Sequence, residues 1–499
     1  MITLFVSLQG LSPMHEATEG ELLQQFVPKS DKTYLLHCDA CLLTCSLNST
    51  HNLLGCAVCD ARAIDFAARL PVETLRLRKE MFPASYPGVM PANLEELLRT
   101  ESEGINIGRG VASSAISTLR EYELDPRQAH RNLVELHLRN AIGALRNYRE
   151  VLDRIAPDRV IVFNGRHSEL WPLLELCRQR NITFYTHERG GSDQLYQLFE
   201  NSLPHSIRTR QRLMQELWDA APPEERVRAA TEWYEIKRLG QNRDDRSYLQ
   251  HQRSGELPEG WDPDRHNIAI FVSSEDEMQA IKEWITPLYR QQNEVVTRLL
   301  ADLRGRTDVH VYIRMHPNLG AVDNRQTREL YALEQDNLTL IRPREAFDTY
   351  AVMEAAAVTL TFASSAGVEA TYWRTASVLY GRAFYEGEDA VYEPQSYPEL
   401  LELLTTPGLP PKPRENVLRY GYFVSHFGIP YRHARVVDPR TVYLADGSKV
   451  KRFTWGALGN LLRYLPQVPD WLRTHRIVTG SRLRLTQLAR LYSHLREKA

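Results

Sequence analysis

Short runs of β-branched and aromatic residues alternate with amphipathic stretches along the chain, and most runs end in polar or glycine-containing loops. The clearest runs lie at 1–8, 159–163, 182–186, 267–272, 309–314, 338–341, 357–363 and 376–379. Between the second and third runs, the apolar positions repeat with the period of a helix. Strand, helix and strand in this order form the unit of a parallel sheet with crossover helices. The pattern therefore predicts an α/β protein with parallel sheets.

Five of the runs follow one another between residues 267 and 379, which predicts a doubly wound domain. The segment before them is polar and interrupted by Pro and Gly, which is typical of a linker. We expect two Rossmann-like domains that face a central cleft, because ligands bind where parallel strands end. The predicted divisions are an N-terminal α/β domain at 1–250, the linker at 251–266, a C-terminal α/β domain at 267–410 and a mainly helical, basic extension at 411–499.

Composition narrows the class of protein. The 499 residues are 43% hydrophobic and 25% charged, which excludes a collagen, a small disulfide scaffold and a wholly disordered chain. The formal net charge of -2 gives no overall attraction to nucleic acid, so no nucleic-acid partner is expected. No run reaches the roughly 18 to 20 apolar residues of a membrane span, and the N-terminus has no basic segment typical of a signal peptide. The expected location is the cytoplasm.

Five of the six cysteines lie within 22 residues of one another, between Cys38 and Cys59. The members of this cluster are Cys38, Cys41, Cys45, Cys56 and Cys59. Without an export signal, such spacing favours a metal over disulfides. Any four of the five could hold a tetrahedral zinc ion, with His37 and His51 as spare ligands, and a closed four-thiolate site is structural. Free buried thiols are the alternative.

The run at 309–314 is followed by a His-Pro pair. Pro317 lacks an N–H and holds the preceding residue extended, so it ends the strand and directs His316 toward the carboxyl edge of the sheet. Arg314 lies two residues back on the same strand face, and Asn318 follows in the loop. An imidazole and a guanidinium at this edge predict a phosphate site. The alternative is a simple turn in which His316 acts as a cap.

Two serine pairs follow other strands of the same predicted domain. Ser364 and Ser365 begin a helix, and the free N–H groups of a helix N-terminus attract anions. With Ser365 as the N-cap, Glu369 lies one residue beyond the capping-box position, so its carboxylate is predicted to be free to accept from ribose hydroxyls. Ser273 and Ser274 precede a run of acidic residues, which suits a helix cap that borders the cleft and makes lesser donor contacts. Capping without a ligand is the alternative for both pairs.

In the N-terminal half, the run at 182–186 is followed by His187-Glu188-Arg189-Gly190-Gly191. A carboxylate at the mouth of a cleft is a candidate general base for an acceptor hydroxyl, and Glu188 is that candidate. A salt bridge with a neighbouring arginine is the alternative. The predicted acceptor-side residues are Asn164, Gly165, Arg166, Arg189 and Gly190.

The last 29 residues, 471–499, interleave seven Arg and Lys side chains with leucines. A basic amphipathic helix can lie on an anionic bilayer, so peripheral contact with the inner membrane is one prediction. A terminal helix that packs its leucines on the protein and exposes its arginines is the other.

Three segments resemble bacterial surface-polysaccharide glycosyltransferases of the GT-B fold, above all capsule polysaccharide synthesis proteins such as the CMP-Kdo and CMP-sialic acid transferases. The segments are Arg314-Met315-His316-Pro317, Ser364 to Ala370 and Val378 to Gly381. The resemblance implies transfer of a sugar from a nucleotide-sugar donor to a polysaccharide or glycolipid acceptor, with no metal at the donor. It implies that His316, Ser364 and Ser365 hold the phosphate and ribose, with Glu369 beside them. It also implies an N-terminal carboxylate as the base, for which Glu188 is the nearest match.

Two other classes of protein fit the same pattern. One is another enzyme on the same scaffold, either a nucleotide-sugar epimerase or a polyol-phosphate polymerase. The second is a non-catalytic protein that binds a sugar or a partner, in which the cysteine cluster orders an interaction surface.

Overall fold

The computed structural model describes residues 1–8, 10, 12–49, 51–241, 249, 251–450, 456–464 and 467–479. The chain divides into two compact units. Unit 1 is formed by Met1–Leu119, Glu123–Pro204 and the chain from Gly428 onward. Unit 2 is formed by Arg120–Tyr122 and His205–Phe427.

The strands, in chain order, are β1 (Ile2–Ser7), β2 (Lys32–His37), β3 (Glu73–Arg76), β4 (Glu101–Ser102), β5 (Ile105–Asn106), β6 (Arg159–Phe163), β7 (Thr183–Arg189), β8 (Leu195–Glu200), β9 (His266–Phe271), β10 (Val309–Arg314), β11 (Leu338–Ile341), β12 (Val358–Thr361), β13 (Ala376–Leu379), β14 (Ile429–Pro430), β15 (Arg435–Asp438) and β16 (Thr441–Tyr443).

The α-helices are α1 (Pro13–Phe26), α2 (Leu53–Ala67), α3 (Leu94–Leu98), α4 (Gly108–Leu119), α5 (Arg131–Ile155), α6 (Trp171–Gln179), α7 (Ile207–Ala220), α8 (Pro223–Arg238), α9 (Gln292–Asp302), α10 (Arg325–Tyr331), α11 (Thr349–Ala355), α12 (Ala366–Tyr372), α13 (Tyr397–Thr405), α14 (Glu415–His426), α15 (Gly456–Arg463) and α16 (Val468–Thr479).

The main sheet of unit 1 has the order β14-β8-β7-β6-β1-β2-β3. The strands from β7 to β3 run parallel, while β8 is antiparallel to β7 and β14 is antiparallel to β8. The central strands are buried and rich in Val, Ile, Leu and Phe, as expected for a sheet covered on both faces. Because the strands are parallel, Ser7, His37 and Phe163 come to the same carboxyl edge.

The sheet of unit 2 is parallel throughout, in the order β11-β10-β9-β12-β13. The chain leaves the central strand β9 for β10 and β11 on one side, then returns to β12 and β13 on the other. This reversal opens a crevice at the carboxyl ends of β9 and β12, where doubly wound sheets bind ligands. The predicted α/β class is confirmed: the sheet of unit 2 is parallel throughout, and five of the seven strands in the sheet of unit 1 are parallel.

Four predicted strands have the predicted limits: β6, β10, β11 and β13. Strand β7 runs three residues further than predicted, because β8 folds back on it and pairs Glu188 with Gln197 and Arg189 with Tyr196. Glu188 therefore lies within the strand and not in a loop after it.

The helix predicted after Ser274 is wrong. A short 3-10 turn at Glu275–Glu277 takes its place, and Ser274 makes no capping hydrogen bond there. The Ser274 hydroxyl donates to Asp276 (2.5 Å) and accepts from the Arg120 guanidinium (2.9 Å), which also pairs with Asp276. Such side-chain hydrogen bonds compete with helix formation, and the next α-helix begins only at Gln292.

The limits of the units differ from the predicted domain limits at residues 250 and 410. Helices α7 and α8 belong to unit 2, because Trp233 and Tyr234 pack with Val417 and Tyr422 in one buried aromatic cluster. The Tyr234 hydroxyl also donates to the carbonyl of Val417 (2.8 Å). After α14 the chain returns to unit 1, where β14 extends the sheet and α15 packs on α2.

Within the described part of the chain, no helix is long and apolar enough to cross a membrane. The predicted membrane-surface segment at 471–499 begins in α16, and its residues from 480 onward lie outside the described residues. Contact with the inner membrane therefore stays a prediction.

The packing of α8 on α14 can be tested at Gly421. A Cβ atom at this position would lie 2.7 Å from the Tyr234 ring, which is stacked on Tyr372 and has no room to move aside. We expect Gly421→Ala to lower the free energy of unfolding by roughly 1–3 kcal/mol, as overpacking of a core does, measured by urea denaturation. Gly459→Ala in α15 is the control, because nothing lies within 4 Å of its added methyl group. Equal stability of the two variants would contradict this packing.

Candidate functional site

A cavity of about 240 Å³ lies in unit 2 at the carboxyl ends of β9 and β10 and the start of α12. The polar side chains that line it include six from three segments of the chain: Lys237, Arg314, His316, Ser364, Ser365 and Glu369. The structure therefore brings together the predicted His-Pro and Ser-Ser segments, although 47 residues of sequence separate His316 from Ser364. Pro317 also lines the cavity.

His316 combines the two roles that the sequence left open. Its Nδ1 accepts from the backbone N–H of Asn318 (3.1 Å), so it caps the turn that begins at Pro317, and the imidazole also lines the cavity. Burial lowers the pKa of His316 to about 4; the nearby Arg120 adds to this shift and Asp276 opposes it. At neutral pH the ring is uncharged, and because Nδ1 accepts, its N–H is on Nε2. His316 thus offers a hydrogen-bond donor and not a cation.

Arg314 supplies a positive charge to the same cavity. Its side chain is buried, and its two terminal nitrogens donate to the carbonyl of Glu345 at 3.3 Å each. Burial lowers the pKa of the guanidinium, but an arginine stays charged in a protein. Among the described residues its hydrogen bonds go to a neutral carbonyl, with the Glu345 and Asp348 carboxylates near enough to act on its charge, and a buried cation of this kind favours an anionic ligand.

The capping hydrogen bond at the start of α12 is made by Ser364 and not, as the sequence predicts, by Ser365. Ser364 Oγ accepts from the N–H of Ala366 (3.1 Å) and caps the start of α12. Ser365 occupies the N-cap position but makes no capping bond. Its hydroxyl donates to Glu369 (2.7 Å) and accepts from Lys237 Nζ (3.2 Å).

Glu369 is not the free carboxylate that the sequence predicts, because three side chains already contact it, and its contact with ribose hydroxyls stays a prediction. Its Oε1 lies 3.0 Å from Lys237 Nζ and accepts from Ser365, and its Oε2 accepts from the hydroxyl of Tyr350 (2.6 Å). Burial alone would raise the pKa of this carboxyl, but Lys237, Tyr350 and Ser365 together hold it below the ordinary value. Glu369 is a buried anion, and a buried anion needs such partners. It therefore positions Lys237 and Ser365.

Sequence reasoning missed Lys237 and Tyr350. Lys237 lies near the end of α8, a helix that the pattern assigned to the N-terminal domain, and its ammonium also lies 4.7 Å from the centre of the Trp233 ring. Tyr350 is in the first turn of α11, where Asp348 caps the helix. Neither belongs to a local motif, so no signal in the sequence singles them out.

Ser273 and Ser274 line a second cavity in unit 2, of about 390 Å³. Other residues around it include Glu275, Tyr289, Arg290 and Arg382. Burial raises the pKa of Glu275 to about 7, although the backbone N–H of Gln292 donates to its Oε1 (2.8 Å) and opposes the shift. The second serine pair is therefore placed around a neighbouring cavity, apart from the cavity of Arg314 and His316.

The candidate base lies in unit 1. Glu188 Oε2 accepts from the side-chain amide of Asn164 (2.7 Å), and its Oε1 accepts from the N–H of Arg189 (3.2 Å). Asn164 and Gly165 both have positive φ, 52° and 91°, which turns the chain sharply after β6 and brings the amide to the carboxylate. The structure thus joins Asn164 and Glu188, as the shared strand edge predicts.

The other predicted acceptor-side residues are held elsewhere in unit 1. Arg166 donates to the hydroxyls of two serines in α4, at 2.8 and 3.1 Å. Arg189 pairs with Asp193 (2.6 Å), and the Gly190 N–H closes the turn to β8 through the carbonyl of Leu195 (2.8 Å). Their roles toward an acceptor stay predictions.

A buried polar cluster at the carboxyl edge of the unit 1 sheet was not foreseen from the sequence. Ser7 Oγ donates to Glu19 Oε2 (2.5 Å), and Glu19 Oε1 lies 3.9 Å from His187 Nε2. The Phe163 ring lies between the imidazoles of His187 and His15. Burial raises the pKa of Glu19 to about 8 and lowers the pKa of His187 to about 3. Glu19 and His187 are therefore uncharged at neutral pH, and their facing atoms, Glu19 Oε1 and His187 Nε2, are buried without a hydrogen-bond partner among the described residues.

All six cysteines are free thiols. Among the described residues, no group of three or more His, Cys, Asp or Glu side chains stands ready to hold a metal ion. The structural zinc therefore stays a prediction at this point.

No protein-family model and no curated protein sequence matches this chain. Solved structures do match. The KpsC β-Kdo 2,4-transferase of Thermosulfurimonas dismutans is 15% identical, with 53% of this chain and 78% of that chain covered and a TM-score of 0.36. The UDP-GlcNAc 2-epimerase of Methanocaldococcus jannaschii is 9% identical, with 84% and 98% covered and a TM-score of 0.29. The glycosyltransferase SnogD of Streptomyces nogalater is 14% identical, with 86% and 96% covered and a TM-score of 0.23.

These structures include both classes of enzyme that the sequence pattern suggested, the transferases and the epimerases. KpsC is a Kdo transferase, the kind of protein that the three sequence segments resemble. At such low TM-scores the likenesses carry no argument about activity. The function proposed below therefore depends on the residues of the site.

The buried cluster around Glu19 gives a prediction about pH. The ordinary pKa of a glutamate is 4.5 and that of Glu19 in the folded protein is about 8. The stability linked to its proton is thus fully present below pH 4.5 and is lost as the pH rises through about 8. Glu19→Gln cannot ionise, so its free energy of unfolding relative to the wild type should rise by a few kcal/mol between pH 5 and pH 9. Urea denaturation at both pH values measures this, and a difference that does not change with pH would contradict it.

Proposed function

We propose that this chain is a glycosyltransferase that moves a sugar from a nucleotide-sugar donor to a glycan or glycolipid acceptor. The observation that carries the proposal is the cavity at the carboxyl edge of the unit 2 sheet. Two cations, Lys237 and Arg314, line it together with the polar side chains of His316, Ser364 and Ser365, and with the Glu369 carboxylate that pairs with Lys237. Such a set of groups suits the phosphate of a nucleotide, and the position suits a doubly wound sheet.

The charges of the cavity suit the leaving group of glycosyl transfer. As the bond between sugar and phosphate breaks, negative charge grows on the phosphate oxygens. Lys237 and Arg314 would stabilise that charge, and they are held in place before the reaction by Glu369 and by the carbonyl of Glu345. Groups that are already oriented lower the barrier, because they need no reorganisation as the charge develops.

His316 would act as a neutral donor. With Nδ1 engaged by the Asn318 N–H, its Nε2–H can donate to a phosphate oxygen without carrying a charge. The negative charge of a phosphate that accepts this hydrogen bond favours the protonated ring. It would therefore raise the pKa of His316 from its value of about 4. Protonation during bond cleavage would then add a third positive charge at the leaving group.

Glu188 is the proposed general base. Its carboxylate would take the proton of an acceptor hydroxyl as that oxygen attacks the sugar. The amide of Asn164 orients the carboxylate by donating to Oε2. The finer parts of the proposal are a CMP-linked donor and a surface-polysaccharide acceptor, which the resemblance of the sequence to capsule transferases supports.

Nucleotide binding tests the donor side. A titration-calorimetry screen of the full chain with CMP, UDP and GDP should give binding to at least one of them, and the resemblance favours CMP. Lys237→Met should weaken that binding by roughly 10- to 100-fold, since a hydrogen bond to a charged group is worth about 1.5–3 kcal/mol. Arg228→Met is the control, because this arginine is exposed on the same helix. Absence of binding to all three nucleotides, or a Lys237→Met affinity equal to that of the control, would contradict the proposal.

Acceptor-dependent release of nucleotide tests the base. With the nucleotide sugar whose base the screen identifies, Glu188→Gln should lower kcat by roughly 100-fold or more and leave nucleotide affinity unchanged, because general-base catalysis contributes about 10²–10⁴-fold. Glu200→Gln, at the end of β8 in the same sheet, should keep the wild-type rate. An unchanged kcat in Glu188→Gln would remove this residue from the mechanism and leave the donor site standing.

A further inference from the structure

The second cavity of unit 2, of about 390 Å³, lies at the carboxyl ends of β9, β12 and β13. Its volume falls within the roughly 300–1,000 Å³ that is typical of pockets for small molecules. Val272 and Ser364 line the first cavity, and their neighbours in the chain, Ser273 and Ala363, line the second. Consecutive Cα atoms are only about 3.8 Å apart, so the two cavities adjoin across the ends of β9 and β12.

Two buried oxygen atoms on the lining of the second cavity have no hydrogen-bond partner among the described residues. They are Ser273 Oγ and Glu275 Oε2. Buried polar atoms are nearly always paired in folded proteins, because an unpaired one has lost its contacts with water and gained none in return. Two such atoms on one cavity indicate a ligand with polar groups of its own.

The chain around these two atoms is held firmly before any ligand binds. The side chain of Gln292 accepts from the Ser273 N–H (3.0 Å) and donates to the Ser273 carbonyl (2.6 Å). Gln326 donates to the same carbonyl (2.7 Å), and both glutamines are fully buried. The backbone N–H of Gln292 also donates to Glu275 Oε1 (2.8 Å), which leaves Oε2 for another partner. Ser273 and Glu275 therefore each keep one oxygen in reserve at a fixed position.

Two aromatic rings on the same lining are also held in place. Trp284 Nε1 donates to the carbonyl of His205 (2.8 Å), and its ring lies edge-on to Phe384, with 5.1 Å between the ring centres. The Tyr289 ring lies alongside that of Tyr380, with 5.8 Å between the ring centres. Fixed rings beside a few oriented polar groups suit a sugar, whose ring has apolar C–H faces and hydroxyl groups around its rim.

The charges on the lining suit hydroxyl groups better than a second phosphate. Glu386 holds the guanidinium of Arg382 through two hydrogen bonds, at 2.6 and 2.8 Å. Arg290 is exposed, so solvent screens its charge. Burial raises the pKa of Glu275 to about 7, so its carboxyl is present in both protonation states at neutral pH. The protonated form can donate and the ionised form can only accept, and a hydroxyl group pairs with either.

From these contacts we propose that the second cavity binds a sugar ring, with Ser273 Oγ and Glu275 Oε2 hydrogen-bonded to its hydroxyl groups and with Trp284 and Tyr289 against its C–H faces. The position beside the first cavity favours the sugar of the donor, and this assignment rests on the proposed function. A sugar of the acceptor glycan offers the same hydroxyl groups. In both cases the two oxygens confer specificity, because a sugar without the matching hydroxyl leaves them unpaired.

Saturation-transfer NMR of the full chain with free monosaccharides tests sugar binding without a nucleotide. The probes are glucose, galactose, mannose, N-acetylglucosamine, N-acetylneuraminic acid and Kdo at millimolar concentration, and we expect at least one of them to bind. Ser273→Ala should weaken that binding by roughly 3- to 10-fold, since one hydrogen bond between uncharged groups is lost. The fold should be kept, because the hydroxyl that is removed has no partner within the described residues.

Ser377→Ala is the matched control for this measurement. The Ser377 hydroxyl is likewise buried in unit 2 without a partner among the described residues, but it is not part of the cavity lining. This variant should bind the sugar as the wild type does. Absence of binding to all six probes, or equal affinities of Ser273→Ala and Ser377→Ala, would overturn the proposal.

The nucleotide sugar distinguishes the donor from the acceptor as the source of the ring. For a donor sugar, the nucleotide sugar should bind the wild type more tightly than the bare nucleotide does. Ser273→Ala should then reduce this advantage by roughly 3- to 10-fold and leave the affinity for the bare nucleotide unchanged. For an acceptor sugar, the advantage stays unchanged and the KM for the acceptor rises instead.

The two proposals can fail independently. A chain that transfers sugar but shows neither change in Ser273→Ala would overturn the sugar site and leave the proposed function standing. Monosaccharide binding that Ser273→Ala weakens, in a chain that binds no nucleotide, would support the sugar site and remove the proposed function.

Discussion

The buried charge of Glu369 is the constraint on which the candidate site of unit 2 depends. A carboxylate in this position must be compensated, and the compensation comes from three different parts of the chain. Lys237 comes from α8, Tyr350 from α11 and Ser365 from the loop before α12. Because all three converge on one group, the carboxylate fixes the position of the lysine and of the serine hydroxyl before any ligand arrives.

The same constraint explains why unit 2 includes helices that the sequence assigned to another domain. Lys237 can reach Glu369 only if α8 packs against α12 and α14, and it does so because Trp233 and Tyr234 are buried with Tyr372, Val417 and residues around them. Hydrophobic packing therefore places the helix, and the ion pair sets the position of its last turn. The site is completed by the parallel strand order, which carries Arg314 and His316 to the edge where Ser364 lies.

Sequence patterns predicted the sheets well, because the buried strands of a parallel sheet are short apolar runs with polar ends, as at β6, β10 and β13. They also predicted that His316 and Ser364 would meet, since parallel strands bring their ends together. They could not predict Lys237 or the partners of Glu369, because those contacts join distant segments with no motif. The helix after Ser274 failed because Arg120, far away in sequence, engages Ser274 and Asp276.

The two-residue strand β14 has a consequence for the solubility of unit 1. It pairs with β8 at the end of the seven-stranded sheet, and it is reached only after the chain has passed through all of unit 2. Until that return is made, during synthesis or in a truncated chain, β8 presents a row of unsatisfied amide and carbonyl groups to its surroundings. Exposed strands of this kind recruit other chains and aggregate. The late-arriving Ile429–Pro430 segment pairs with Leu195 and Tyr196 at the start of β8, and Pro430, which has no N–H, offers no donor there to a further strand.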